Sequence, residues 1–256
     1  MRYLTLILVV LTIAFGAPVH AHSPLADVVE KIKPSIVGIA GYQALRQPQA
    51  EVLGTGFVVG DGRHVATNYH VVRPLLKNGT DAKLIILVGV GSSPEMRDAE
   101  IVELDPDHDL ALLKISGTVL NAVQLRQTRE TVRAGETIAI TGFPLGPTLG
   151  LYPATHKGIV SAVTPNIIPQ GNARQLDPVL LRRARFNVYQ LDIVAYPGNS
   201  GSPVFNAENG EVFAIVNSAY IKDTKERSIS SPSGITYAIP AKFVSQLLRR
   251  ANVKQK

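Results

Sequence analysis

The stretch Tyr196-Pro197-Gly198-Asn199-Ser200-Gly201-Ser202-Pro203 decides how the rest of the chain is read. Glycines on both sides of a serine let the backbone turn sharply and present a hydroxyl. A turn through Gly198 and Asn199 also aims the amides of Gly198 and Ser200 at one point, an arrangement that stabilises an oxyanion with backbone donors. A serine hydroxyl alone is a weak nucleophile at neutral pH, so the reading needs a base and a group that orients the base.

Both candidates lie upstream. Thr67-Asn68-Tyr69-His70-Val71-Val72 follows the apolar run Gly56-Phe57-Val58-Val59-Gly60, which places His70 just beyond a predicted hairpin. Asp109-Leu110-Ala111-Leu112-Leu113-Lys114-Ile115 puts an aspartate at the entry to an apolar strand. Asp105 and Asp107 are nearby competitors, but only Asp109 directly precedes the apolar run, where a buried carboxylate accepts the Nδ1 proton of a histidine. His64, His108 and His156 lack the Thr-Asn-x-His-Val context, and His20 and His22 are terminal. The chain order His, Asp, Ser is that of the chymotrypsin-type arrangement and differs from those of subtilisin and the α/β-hydrolases.

With Gly54-Thr55-Gly56-Phe57, Gly158-Ile159-Val160-Ser161-Ala162 and Tyr237-Ala238-Ile239-Pro240 added, these blocks resemble, in order, the HtrA/Deg family of trypsin-fold serine proteases. The longer run from Gly198 to Asn206 also resembles the glutamyl endopeptidases, a neighbouring branch of the same fold. The resemblance implies an all-β fold of two antiparallel six-stranded barrels, with His70, Asp109 and Ser200 as catalytic residues between them. It implies an oxyanion hole from the Gly198 and Ser200 amides, polypeptide substrates that include unfolded proteins, and no cofactor or metal. It also builds the primary substrate pocket from the segment before Ser200 and the strand Val216-Asn217-Ser218-Ala219-Tyr220-Ile221, with Ala195, Tyr220 and Ile221 nearest the pocket. None of the three is charged, and an apolar pocket leaves a buried arginine or lysine unpaired. Glutamate specificity is disfavoured too, since the glutamyl endopeptidases use a histidine on this strand and none occurs after His156. In zymogens of this fold an aspartate before the nucleophile pairs with a new N-terminal ammonium. Asn199 cannot form that ion pair, so neighbouring loops are expected to order the turn.

Arg2 ahead of the apolar run Leu4 to Phe15, broken by Gly16 and Pro18, reads as a signal peptide over 1–21 with cleavage after Ala21. The run is short of the roughly 20 residues of a membrane span, so no span is expected after cleavage. The absence of cysteine rules out disulfides and fits a periplasmic setting. Removing residues 1–21 takes away one arginine and lowers the formal charge from +6 to +5, an excess too small to argue for nucleic acid. The short tail beyond Pro240 predicts that the peptide-binding PDZ module common in the HtrA/Deg family is missing.

From residue 35 onward, short β-rich runs alternate with glycine and polar turns. Strands are predicted at 35–41, 54–60, 64–67, 83–90, 99–105 and 110–115, making an N-terminal barrel unit over 22–128. A second set at 136–141, 156–163, 188–193, 202–206, 212–218 and 234–239 makes a C-terminal unit over 129–256, entered through a linker at 129–134. Ser23-Pro24 reads as the start of a short amphipathic helix ending near Pro34. A C-terminal helix over 241–251 carries Phe243, Val244, Leu247 and Leu248 on one stripe, expected to pack on the second barrel with Arg249 and Arg250 in water. The basic stretch 165–187, with Arg174, Arg182, Arg183 and Arg185, reads either as a solvated loop with a short helix at 177–185 or as a loop bordering the cleft. It has no aromatic platform for nucleic acid. A non-catalytic chaperone or adaptor that binds extended peptides by strand addition is the rival reading; an intact set of His70, Asp109 and Ser200 argues against it. Nothing in the sequence sets an oligomeric state.

Overall fold

The computed structural model describes residues 23–76, 81–127, 130–144, 150–166, 185–217 and 234–255. Twelve strands form two closed antiparallel barrels. The first contains β1 (Ile36–Tyr42), β2 (Ala50–Val59), β3 (His64–Thr67), β4 (Lys83–Val88), β5 (Glu95–Asp105) and β6 (Leu110–Ile115), in the order β1-β2-β3-β6-β5-β4. The second contains β7 (Thr137–Gly142), β8 (Ala154–Pro165), β9 (Asn187–Asp192), β10 (Pro203–Asn206), β11 (Val212–Asn217) and β12 (Ile235–Pro240), in the order β10-β11-β12-β9-β8-β7. The all-β, two-barrel expectation holds, with strand ends shifted by a few residues.

Several strands read as unbroken apolar runs because both faces are covered. Successive side chains point to opposite faces. In β2, Val58 enters the interior of the first barrel with Val37, Ile39 and Ile86, while Phe57 and Val59 turn to a cluster shared between the barrels. In β6, Ala111 and Leu113 face inward and Leu110 and Leu112 face that shared cluster. The second barrel repeats the pattern: Ile138, Ile140, Val204 and Val216 fill its interior, while Ala139, Phe205 and Ile215 join the shared cluster. By contrast, β5 and β8 alternate between covered and open positions along much of their length, because one face of each meets water.

Two helices close the shared cluster. Helix α1 (Pro24–Ile32) starts with proline in its first turn and runs into a tight turn at Lys33–Ser35, burying Val28 and Ile32. Ser23 accepts the Ala26 amide through its carbonyl at 2.9 Å and makes no side-chain cap. A one-turn helix, α2 (Tyr69–Val72), follows β3 directly. The C-terminal helix α3 (Lys242–Arg250) buries the predicted stripe of Phe243, Val244, Leu247 and Leu248. Its neighbours correct the expectation: it lies mainly against β5 and β6 of the first barrel. Arg250 is exposed but paired, its Nε 2.8 Å from Glu103 Oε1 and an NH2 group 3.3 Å from Asp105 Oδ2. The sequence shows that one face is apolar, not which barrel that face meets.

The connection between barrels leaves β6 at Ile115 and enters β7 at Thr137. Val123 donates to Val58 of the first barrel, and Gln124 accepts from Val212 of the second, both at 2.9 Å. The chain therefore reaches the second barrel at Gln124, ahead of the predicted linker at 129–134. The predicted signal peptide and all but the last residue of the predicted helix at 177–185 lie outside the described residues, as do Arg174, Arg182 and Arg183. Among the described residues, no helix is long and apolar enough to cross a membrane.

Candidate active site

Three chain segments from two barrels meet between them. His70 lies on α2, at the exit of the β2–β3 hairpin. Asp109 lies in the turn between β5 and β6. Ser200 lies in the turn leading into β10. The structure brings these side chains into one line: His70 Nδ1 is 2.6 Å from Asp109 Oδ2, and His70 Nε2 is 2.9 Å from Ser200 Oγ. The His70 backbone amide also donates to Asp109 Oδ1 at 2.8 Å, so the carboxylate grips both the ring and the main chain of the same residue. The imidazole stays partly open to solvent, its side chain about a quarter exposed, while Ser200 is buried.

Asp109 adopts a left-handed backbone with φ of 52°. That conformation costs a residue with a Cβ about 1 kcal/mol, so the surroundings must hold it. They do so from both sides. The Asp109 carbonyl accepts the Tyr69 amide at 3.0 Å and the Asn68 side-chain amide at 3.1 Å, and its own amide donates to Pro106 at 3.3 Å. Asn217 at the end of β11 donates Nδ2 to Asp109 Oδ2 at 2.8 Å, so the second barrel also holds the carboxylate.

The turn around Ser200 is fixed from the first barrel. Gly198 and Gly201 have φ of 99° and 87°, values that favour glycine. A Cβ at Gly201 would lie 1.9 Å from the Thr55 carbonyl oxygen, so no other residue fits there. Thr55 on β2 is the principal brace. Its amide donates to the Ser200 carbonyl at 2.8 Å, its hydroxyl donates to the Gly198 carbonyl at 2.7 Å, and the same oxygen accepts the Phe143 amide at 3.0 Å. Thr67 in turn donates to the Thr55 carbonyl at 2.7 Å. Within the turn, Asn199 donates to the Tyr196 carbonyl and Ser202 to the Asn199 carbonyl, both at 3.0 Å.

Ala195 is buried with the interior cluster of the second barrel, five residues before Ser200. Tyr220 and Ile221 lie outside the described residues. Among the described residues, no group of three or more histidine, cysteine, aspartate or glutamate side chains is placed to hold a metal ion. Sequence reasoning missed three supporting residues: Asn217, read only as part of a pocket wall, and Thr55 and Asn68, read only as motif letters. The flanking motifs mark the last two, but nothing local marks a bond from Asn217 to an acid 108 positions away.

Residues 54–215, which contain His70, Asp109 and Ser200, match the family described as Trypsin-like peptidase domain. The chain is 29% identical over 238 residues to Serine protease HTRA1B of Danio rerio, covering 92% of this chain and 43% of that protein. It is 33% identical over 195 residues to a Pseudomonas putida protein named "Probable periplasmic serine endoprotease DegP-like", covering 76% of this chain and 34% of that one. The chain spans less than half the length of these curated relatives. Its fold is similar to the crystal structure of Deg5, with a TM-score of 0.62 at 24% identity, covering 87% of this chain and 91% of that one. It is also similar to the serine endoprotease from Yersinia pestis, with a TM-score of 0.61 at 24% identity, covering 89% of this chain and 66% of that one. Two closed barrels, the matched span and the HtrA- and DegP-like relatives lead to one conclusion: the chain belongs to the trypsin-like peptidase domain family, among HtrA/Deg-like proteases.

Proposed function

We propose that this protein is an exported serine endopeptidase that hydrolyses peptide bonds through an acyl-enzyme. The observation that carries the reading is the continuous line from Asp109 through His70 to Ser200, with contacts of 2.6 and 2.9 Å. Ser200 Oγ attacks the scissile carbonyl carbon while His70 Nε2 takes its proton. Asp109 keeps the other ring proton on Nδ1 and stabilises the imidazolium that results. The amides of Gly198 and Ser200 hold the oxyanion of the tetrahedral intermediate. The imidazolium then protonates the leaving amine, and an ester joins the acyl group to Ser200. Water, deprotonated by the same imidazole, attacks the ester and releases the second product.

Unfolded polypeptides are the proposed substrates, and periplasmic quality control the proposed setting. The DegP-like relative, whose printed name places it in the periplasm, and the apolar N-terminal run support export. Ala195, Tyr220 and Ile221 are the proposed pocket residues. Digestion of unfolded casein by the purified protein, with Ser200→Ala alongside, tests the activity. Ser200-dependent fragments are expected, and fragments of equal yield from the folded variant contradict the proposal.

A further inference from the structure

His108 immediately precedes Asp109, and its ring is the meeting point of three distant parts of the chain. It stacks on Phe243 of α3 with ring centroids 3.8 Å apart and planes 25° apart. Phe186, just before β9, lies 4.8 Å away and packs edge-on against Phe243 at 5.0 Å. Phe186 is itself fixed by backbone bonds: its amide donates to Asn166 Oδ1 at 3.1 Å, and its carbonyl accepts the Asn166 amide at 2.9 Å. The edge of the His108 ring is occupied as well. Nδ1 lies 2.9 Å from both oxygens of Asp105, and the His108 amide donates to Asp105 Oδ1 at 3.1 Å. Asp105 is buried and also accepts from Arg250 of α3. Helix α3 thus holds the 105–109 turn twice, by the Phe243 ring and by the Arg250 guanidinium.

We propose that His108 is a positioning residue for the His70–Asp109–Ser200 site, locked by Asp105 at its ring edge and by contacts with Phe186 and Phe243, so that Asp109 keeps its left-handed backbone. The inference rests on the catalytic reading given above. Its physical basis is the strained φ of Asp109. A turn with a disfavoured residue at its end relaxes when its external contacts are removed. Relaxation of Asp109 withdraws the carboxylate from the His70 amide and from Nδ1 together, because both bonds depend on one backbone direction. His108 acts without touching substrate, and α3 and the β8–β9 pair act on the site through it.

The test compares wild type, His108→Ala, His108→Phe (ring without the Asp105 bond), His108→Asn (bond without the ring), Phe186→Leu and the double variant His108→Ala/Phe186→Leu. Two readouts are used: kcat and KM for steady-state hydrolysis of a peptide, and the low-field proton resonance of His70 Nδ1–H, assigned by its loss in His70→Ala. His108→Ala is expected to lower kcat at least tenfold with KM within twofold. The His70 resonance is expected to move upfield or broaden. Phe186→Leu alone is expected to cost severalfold and to add little to His108→Ala, since both remove one clamp. Wild-type kcat and an unmoved resonance in folded His108→Ala overturn the proposal. Losses that follow only the folded fraction, or that add fully in the double variant, overturn it too. Should His108→Ala not fold, His108→Phe and His108→Asn decide by the same criteria. If wild type shows the resonance but no Ser200-dependent hydrolysis, the catalytic reading fails, while the resonance still reports on positioning.

Discussion

Asn217 Nδ2 and His70 Nδ1 converge on a single oxygen, Asp109 Oδ2, at 2.8 and 2.6 Å. One donor comes from the second barrel and the other from the first, so the carboxylate ties the barrels together where the imidazole is oriented. Losing one hydrogen bond to a charged acceptor costs about 1.5–3 kcal/mol. Asn217→Ala is therefore expected to lower kcat by roughly ten- to a hundredfold, with the fold intact. Steady-state kinetics on a peptide substrate, with thermal melting as the control, checks this.

Thr55 braces the Ser200 turn through its hydroxyl, which Gly198 and Phe143 both use. Thr55→Val keeps the shape and deletes the oxygen, taking this partner from the half-buried Gly198 carbonyl and the buried Phe143 amide. The expected loss is about 1–3 kcal/mol in denaturant unfolding. The variant is also expected to lose kcat, because Gly198 is then free to turn its amide away from the oxyanion. Loss of stability with unchanged kcat would show that the hydroxyl supports packing alone.

The barrels themselves are legible because each strand is short and bounded by glycine or polar turns, and because runs such as Leu110 to Leu113 alternate between two buried faces. The motifs around His70, Asp109 and Ser200 marked three side chains that the structure brings together, and each sits where a strand meets a turn. The supports were not legible. Asn217 meets Asp109 only after both barrels close, and the Phe243 stripe announces a buried face without naming His108 as the partner. Arg250 reads as a solvated charge because its acidic partners lie far away in sequence, on the opposite barrel from the one expected.

His156 on β8 pairs with Ile140, and its Nε2 is buried without a hydrogen-bond partner among the described residues. Burial pushes this imidazole below the usual histidine range. The unfolded chain then binds the proton more readily than the folded one, so stability is full above the unfolded pKa of about 6.5 and falls as pH drops toward the folded value. Asp105 and Asp61 lose their contribution only at more acid pH. Burial raises both, but hydrogen bonds and charge from His108 and Arg250, and from His64 and the Arg63 amide, outweigh it and hold the carboxyls low. Melting temperatures between about pH 7.5 and pH 5 should fall less for His156→Leu than for wild type. Equal slopes contradict the burial argument.

Substrate choice follows from the uncharged candidates Ala195, Tyr220 and Ile221. An enclosed aliphatic P1 side chain gains up to about 1.5–3 kcal/mol of burial, whereas a charged one loses its hydration without a partner. Cuts mapped by mass spectrometry in an unfolded protein are expected after valine, alanine or isoleucine. A majority after arginine, lysine or glutamate shows that a charged residue from elsewhere reaches the pocket.

In the proposed mechanism, His70 and Asp109 make Ser200 a nucleophile. Mass spectrometry of the purified protein after treatment with a fluorophosphonate tests it most directly. One adduct is expected, on Ser200, formed quickly in wild type, absent in Ser200→Ala and slowed by orders of magnitude in folded His70→Ala. A folded wild-type protein without that adduct, or labelling as fast without the imidazole, contradicts it.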